Sequence, residues 1–191
     1  MYNPLIPCVY EAALTDVEVS SIISFESKFE SVDAKIGSND AGVSDSNVRS
    51  TEIKWIPPDT YQGKYITDIC YKYVNQANRE NYAFDISTIS DIQYTIYNSE
   101  QSGHYSWHHD VLKPDCSFDR KLSVSIQLSD PKDYEGGNLI FAAGGNIYPT
   151  EVMRKRGTVI VFPSFIEHMV EPVTRGTRKS LVTWVEGPKW K

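Results

Sequence analysis

Between residues 92 and 186 short apolar segments alternate with turn signals, and this rhythm restricts the possible fold more than any other feature. Strands are expected at 92–97, 105–110, 121–128, 138–142, 151–154, 158–162, 168–173 and 179–186, where β-branched and aromatic residues suit a pleated surface. Asp130-Pro131-Lys132-Asp133, Glu135-Gly136-Gly137-Asn138, Gly144-Gly145-Asn146 and Arg175-Gly176-Thr177 supply turns between them. Eight short strands after two helices predict a mainly β (α+β) fold. Its form is a jelly roll of two face-to-face sheets, with the helices packed on the major sheet. Pattern alone leaves other two-sheet sandwiches open.

The two helices have independent signals. Thr15 and Glu18 match a capping box, and Val19, Ile22, Ile23 and Phe29 follow at helical spacing. Ile66, Ile69, Cys70, Tyr73, Val74 and Ala77 define a second helix over 64–78. Cys70 falls on its apolar stripe and reads as a small core residue rather than a nucleophile. A short strand is expected within 5–14 and another over 49–56, ended by Pro57-Pro58. Residues 31–47 are rich in Ser, Asp, Asn, Gly and Ala, and are expected to form a loop, either a plain surface connection or a substrate lid.

The length of 191 residues, with 40% hydrophobic and 23% charged residues, suits one globular domain over 1–191. Its expected parts are an N-terminal support over about 1–90 and a jelly-roll core over about 91–187. Cys8, Cys70 and Cys116 make no paired framework, which favours a reducing compartment. The first residues lack a basic segment followed by an apolar one, and no apolar run could span a bilayer; a soluble, cytoplasmic protein without membrane contact is expected. A net charge of -6 and a single short basic cluster, Arg154-Lys155-Arg156, argue against nucleic acid as a partner.

His108 and Asp110 are spaced so that, in a strand, both project to one face while His109 points away. A distant third ligand, His168, would complete two imidazoles and one carboxylate on one face of an octahedral metal, leaving three positions open. The separation of 58 positions from Asp110 to His168 leaves room for several intervening strands. Arg178 shares a predicted strand face with Ser180, Val182 and Trp184, where its fork could hold a carboxylate.

These residues, with Val161 to His168, Pro172-Val173, Gly176 to Ser180 and Tyr134-Glu135-Gly136-Gly137-Asn138-Leu139, resemble the iron(II) and 2-oxoglutarate dependent oxygenases. The resemblance covers about 94–184, and lies with the prolyl 4-hydroxylase-like branch that includes the bacterial PKHD-type hydroxylases. It implies the double-stranded β-helix, iron(II) held by His108, Asp110 and His168, and 2-oxoglutarate anchored by Arg178. Tyr97 and Tyr105 match family positions near the cosubstrate, and Arg49 is implied near the site mouth. Dioxygen is the second cosubstrate and ascorbate the activator. The implied reaction is hydroxylation of an unactivated C–H bond, in the manner of a procollagen-proline 4-dioxygenase. A prolyl residue in a peptide or protein is the expected substrate, with the enzyme a monomer or homodimer. Trp107, Tyr105 and Tyr134 are candidate surfaces for the pyrrolidine ring. The alternatives are a hydroxylase of a free amino acid or small metabolite, a non-catalytic cupin-type jelly roll, and a zinc hydrolase with Glu167 as base.

Overall fold

Strand β1 (Cys8–Tyr10) leads into helix α1 (Asp16–Ser24), a 3-10 turn at Phe25–Lys28, and the short strands β2 (Val32–Asp33) and β3 (Arg49–Ser50). Next come β4 (Glu52–Ile56), helix α2 (Tyr61–Ala77), a π-turn at Asn78–Tyr82, β5 (Thr88–Asn98), a 3-10 turn at Ser99–Gln101, β6 (His104–His108) and β7 (Asp119–Gln127). The chain finishes with β8 (Tyr134–Gly136), β9 (Leu139–Phe141), helix α3 (Thr150–Arg154), β10 (Val159–Pro163), β11 (His168–Val170) and β12 (Val173–Gly187). The structure, a computed structural model, describes residues 5–33, 45–112, 115–142 and 150–191. Among these, no helix is long and apolar enough to cross a membrane.

All pairings are antiparallel. The major sheet has the order β1-β10-β7-β12-β5-β4-β2, with β8 joined to β12, and the minor sheet the order β3-β6-β11-β9. This is the expected jelly roll, and strand alternation explains its layers. Leu122, Val124 and Ile126 of β7 join Val159 and Val161 of β10, Leu181 and Val185 of β12, and the buried stripes of both helices in one core. Their neighbours Ser123, Ser125 and Gln127 face the gap between the sheets, where a second core gathers Tyr97, Phe141, Ile160, Phe162 and Val170. The helices therefore lie on the outer face of the major sheet.

Local chemistry sets the helix ends. Thr15 Oγ1 accepts from the Glu18 amide at 3.3 Å, while Glu18 Oε2 accepts from the Thr15 amide at 2.7 Å, closing the capping box. Thr60 caps α2 by accepting from the Gly63 amide at 3.0 Å. Buried side chains contribute about 1.5–3 kcal/mol each, so Ile66, Cys70, Tyr73, Val74 and Ala77 hold α2 in place more than helix propensity does.

Four sequence expectations need correction. Residues 151–154 form α3 rather than a strand; the Lys155 amide and the Thr158 hydroxyl both bond to the Val152 carbonyl, closing a helical turn. Arg175-Gly176-Thr177 does not separate strands but lies within β12. Gly176 there has φ +72°, and a Cβ would stand 1.9 Å from the Asp133 carbonyl oxygen. The segment expected as a turn at 135–138 opens inside β8, which pairs with β12. The single strand expected over 49–56 is split at Thr51, whose hydroxyl donates to the Ile96 carbonyl; β3 then joins the minor sheet and β4 the major one.

Within the expected loop over 31–47, Val32 and Asp33 pair with Ile53 and Glu52, while residues 34–44 lie outside the described residues. Gly144-Gly145-Asn146 also lies outside them.

Candidate active site

The ladder between β6 and β11 sets His108 opposite His168, so the two imidazoles meet across strands. Asp110 reaches them by another route than strand alternation, because β6 ends at His108. The Asp110 amide donates to the Ser164 carbonyl at 2.9 Å, and Ser123 Oγ donates to Asp110 Oδ2 at 2.7 Å. Ser123 and Ser164 are wholly buried, with their hydroxyls 3.0 Å apart. This small polar knot takes over the positioning that a continuous strand would have supplied.

Ligand atoms of His108, Asp110 and His168 all lie within 4.8 Å of one another. His108 Nε2 is 3.8 Å from Asp110 Oδ1, and His168 Nε2 is 3.6 Å from Asp110 Oδ2. Each imidazole donates Nδ1–H to a backbone carbonyl two residues back: His108 to Ser106 at 2.7 Å and His168 to Ile166 at 2.9 Å. That fixes the tautomer and turns both Nε2 lone pairs inward, the arrangement that metal-binding histidines use. Two imidazoles and one carboxylate, without sulfur, suit iron(II) with open coordination positions. His109 is exposed and outside this cluster, as its position predicts, although it borders the same cavity.

The electrostatics favour a charged Asp110 carboxylate beside a neutral His108 imidazole. Burial and the adjacent His168 pull His108 down to about 4, while Asp110 partly opposes them. Burial alone would raise the Asp110 carboxyl, but His168, His108 and the Ser123 hydroxyl outweigh it and hold Asp110 low. Trp184 also stands close enough to help keep the carboxylate charged, although its Nε1 meets no acceptor at hydrogen-bond geometry.

The triad opens on a cavity of about 1090 Å³ between the sheets. Its opposite wall belongs to the major sheet, where Arg178, Ser180, Val182 and Trp184 of β12 all line it, as their alternation predicts. Arg178 is buried and stands opposite Tyr97 in the β12–β5 ladder, its guanidinium carbon 5.3 Å from the Tyr97 ring centroid. Its Nη1 donates weakly to Ser180 Oγ at 3.4 Å, and among the described residues it has no carboxylate partner. A buried guanidinium without an acid is poised for a ligand carboxylate. Tyr105 stacks on His108 with ring centroids 3.5 Å apart and planes inclined by 16°.

Of the three aromatic surfaces expected to meet a substrate ring, only Tyr105 lines the cavity. Trp107 is exposed elsewhere, and Tyr134 is core: its hydroxyl accepts from Gln127 Nε2 at 3.1 Å, and Arg154 covers its ring at 4.2 Å. Trp55 and Phe118 line the cavity without having been anticipated. Arg120 was missed for a specific reason. Simple alternation would send it towards the helices with Leu122, but the ladder advances one residue in β12 (Val185 to Glu186) while β7 spends two (Leu122 to Arg120). The bulge turns Arg120 into the cavity, over the Trp184 ring at 3.8 Å. Burial lowers the Arg120 pKa, opposed by Asp110, Asp91 and Glu186. Glu167, the candidate base of a zinc hydrolase, does not line the cavity.

Comparison with known proteins agrees with this geometry. A family model described as the 2OG-Fe(II) oxygenase superfamily matches residues 92–186. A PKHD-type hydroxylase of Sphingopyxis alaskensis is 38% identical over 86 residues, covering 44% of this chain and 38% of that protein. The chain spans less than half the length of the curated relatives it matches. Among solved structures, a prolyl-4-hydroxylase of Pseudomonas putida has a TM-score of 0.71 at 19% identity, covering 95% of this chain and 92% of that one. A viral collagen prolyl hydroxylase from Paramecium bursaria Chlorella virus-1 has a TM-score of 0.68 at 20% identity, covering 95% and 96%. At such identities these two likenesses concern the fold.

Proposed function

We propose that this chain, whose residues 92–186 match the 2OG-Fe(II) oxygenase superfamily, is an iron(II)- and 2-oxoglutarate-dependent hydroxylase acting on a prolyl residue of a peptide or protein. The observation that carries this reading is the facing of two walls: a His-Asp-His cluster on one and the acid-free, buried Arg178 on the other. A cupin-type metal binder has no use for the second wall.

When bound, iron(II) and 2-oxoglutarate supply the oxidising chemistry, in which one dioxygen is consumed, the cosubstrate becomes succinate and carbon dioxide, and a C–H bond becomes C–OH. His108, Asp110 and His168 hold the metal. Arg178 binds the distal carboxylate of 2-oxoglutarate through its fork, and Tyr97 and Tyr105 offer hydroxyls from opposite walls. Phe162 and Trp184 exclude water, and the walls orient the C–H bond to be cut. No side chain needs to act as general acid or base. Ascorbate serves as activator. A single domain, working as a monomer or homodimer, completes the proposal.

The test is succinate release and product mass from protein supplied with iron(II), ascorbate, 2-oxoglutarate and either proline-rich peptides or free proline. One added oxygen on peptidyl proline is the expected outcome. Oxygen gained only by non-proline substrates would replace the prolyl assignment with a small-metabolite one.

A further inference from the structure

Among the described residues, Arg49 carries the one guanidinium on the cavity wall that faces neither an acid nor the proposed cosubstrate. It stands opposite Tyr105 in the β3–β6 ladder, its guanidinium carbon 4.4 Å from the Tyr105 ring centroid. Such stacking fixes the plane of the fork while leaving its edge free to donate. Its Nε is buried and meets no acceptor, and among the described residues no ion pair includes it. The other arginines differ: Arg178 belongs to the cosubstrate wall, and Arg120 has Asp91 at 3.9 Å and Glu186 across the ladder. A guanidinium that lines an open cavity with no acid beside it among the described residues calls for an acceptor from a ligand.

We infer that Arg49 binds a carboxylate of the substrate to be hydroxylated, which is therefore acidic close to its reacting carbon; this rests on the hydroxylase reading above. The two Nη–H groups at the tip of a stacked guanidinium form two parallel bonds to the two oxygens of a carboxylate, which a neutral amide cannot match. The position fits, because Tyr105 stacks on the His108 ring and Arg49 stacks on Tyr105, so the fork is one ring removed from the triad. The same group has two sources: the α-carboxylate of a free amino acid or chain end, and an acidic side chain beside the target residue in a peptide.

Calorimetry on protein loaded with manganese(II) and 2-oxoglutarate, without oxygen, tests this apart from turnover. Three probe pairs separate the sources: free proline against prolinamide, a proline-ending peptide as acid against its amide, and an internal Pro-Glu peptide against Pro-Gln. In the wild type at least one acid should bind tenfold or more tighter than its amide. Arg49→Gln should reduce that advantage to within twofold with 2-oxoglutarate affinity and melting temperature kept, and Arg49→Lys should restore part of it. The inference is overturned if no pair shows acid preference, if the preference survives in Arg49→Gln, or if that variant weakens 2-oxoglutarate instead. Wild-type protein that binds manganese but no 2-oxoglutarate would bring down the hydroxylase reading itself.

Discussion

At the residue scale, the site depends on convergence of a few side chains, and each makes a separable prediction. Alanine at His108, Asp110 or His168 should abolish stoichiometric metal binding, measured by manganese(II) titration, whereas His109→Ala should retain it. Ser123→Ala removes the hydroxyl that orients Asp110 and should weaken metal affinity by about 10–100-fold without unfolding the protein; an unchanged affinity would refute this positioning role. Arg178→Ala should weaken 2-oxoglutarate by roughly 30-fold to several thousandfold, about 2–5 kcal/mol, with the metal still bound, and Arg178→Lys should fall between. His108, Asp110 and His168 come together as the family resemblance implies, although strand alternation does not deliver Asp110, and Arg178 lines the facing wall with Ser180, Val182 and Trp184 as alternation predicts. Arg120 was not legible, since a one-residue bulge inverts alternation without any compositional trace.

At the scale of elements, caps and strand partners decide what sequence alone shows. α1 and α2 were readable because local capping and a helical stripe agree, and Thr15→Ala should lower the urea midpoint by the equivalent of about 1 kcal/mol. Elements defined by distant partners were harder to read. β12 runs for 15 residues because β5, β7 and β8 all pair with it, so a local turn signal at Gly176 is overridden and survives as a positive-φ kink. Gly176→Ala should destabilise more than an ordinary surface substitution, because the Asp133 backbone would have to withdraw from β12. The break at Thr51 was equally invisible: nothing in an alternating run reveals that its halves join different sheets.

At the scale of the molecule, two features tie the layers together. Outside the major sheet, Glu26 accepts from Tyr94 of β5 at 2.8 Å and from Lys179 of β12 at 2.7 Å. Burial alone would raise its carboxyl, yet Lys179 and Tyr94 outweigh burial and hold it below its ordinary value. The folded form therefore gains stability from this group above the ordinary glutamate range, and loses it as pH falls through the lowered value. Glu26→Gln should consequently be less stable than wild type at pH 7, by at most about 1 kcal/mol for a partly exposed cluster, with the gap narrowing in urea melts as pH falls below the ordinary glutamate range. Inside, the cavity puts the metal-binding cluster on one sheet and Arg178 on the other. An occupant held at both ends is a rivet through the sandwich, so occupancy and rigidity become one quantity. Metal alone should slow amide hydrogen exchange chiefly in β6 and β11, whereas metal with 2-oxoglutarate should extend that protection across to β5 and β12. Saturation at a hundredfold excess corresponds to about 2.7 kcal/mol, roughly 5–10 °C in melting temperature for a chain this long. The unoccupied protein is thereby expected to be the form that breathes.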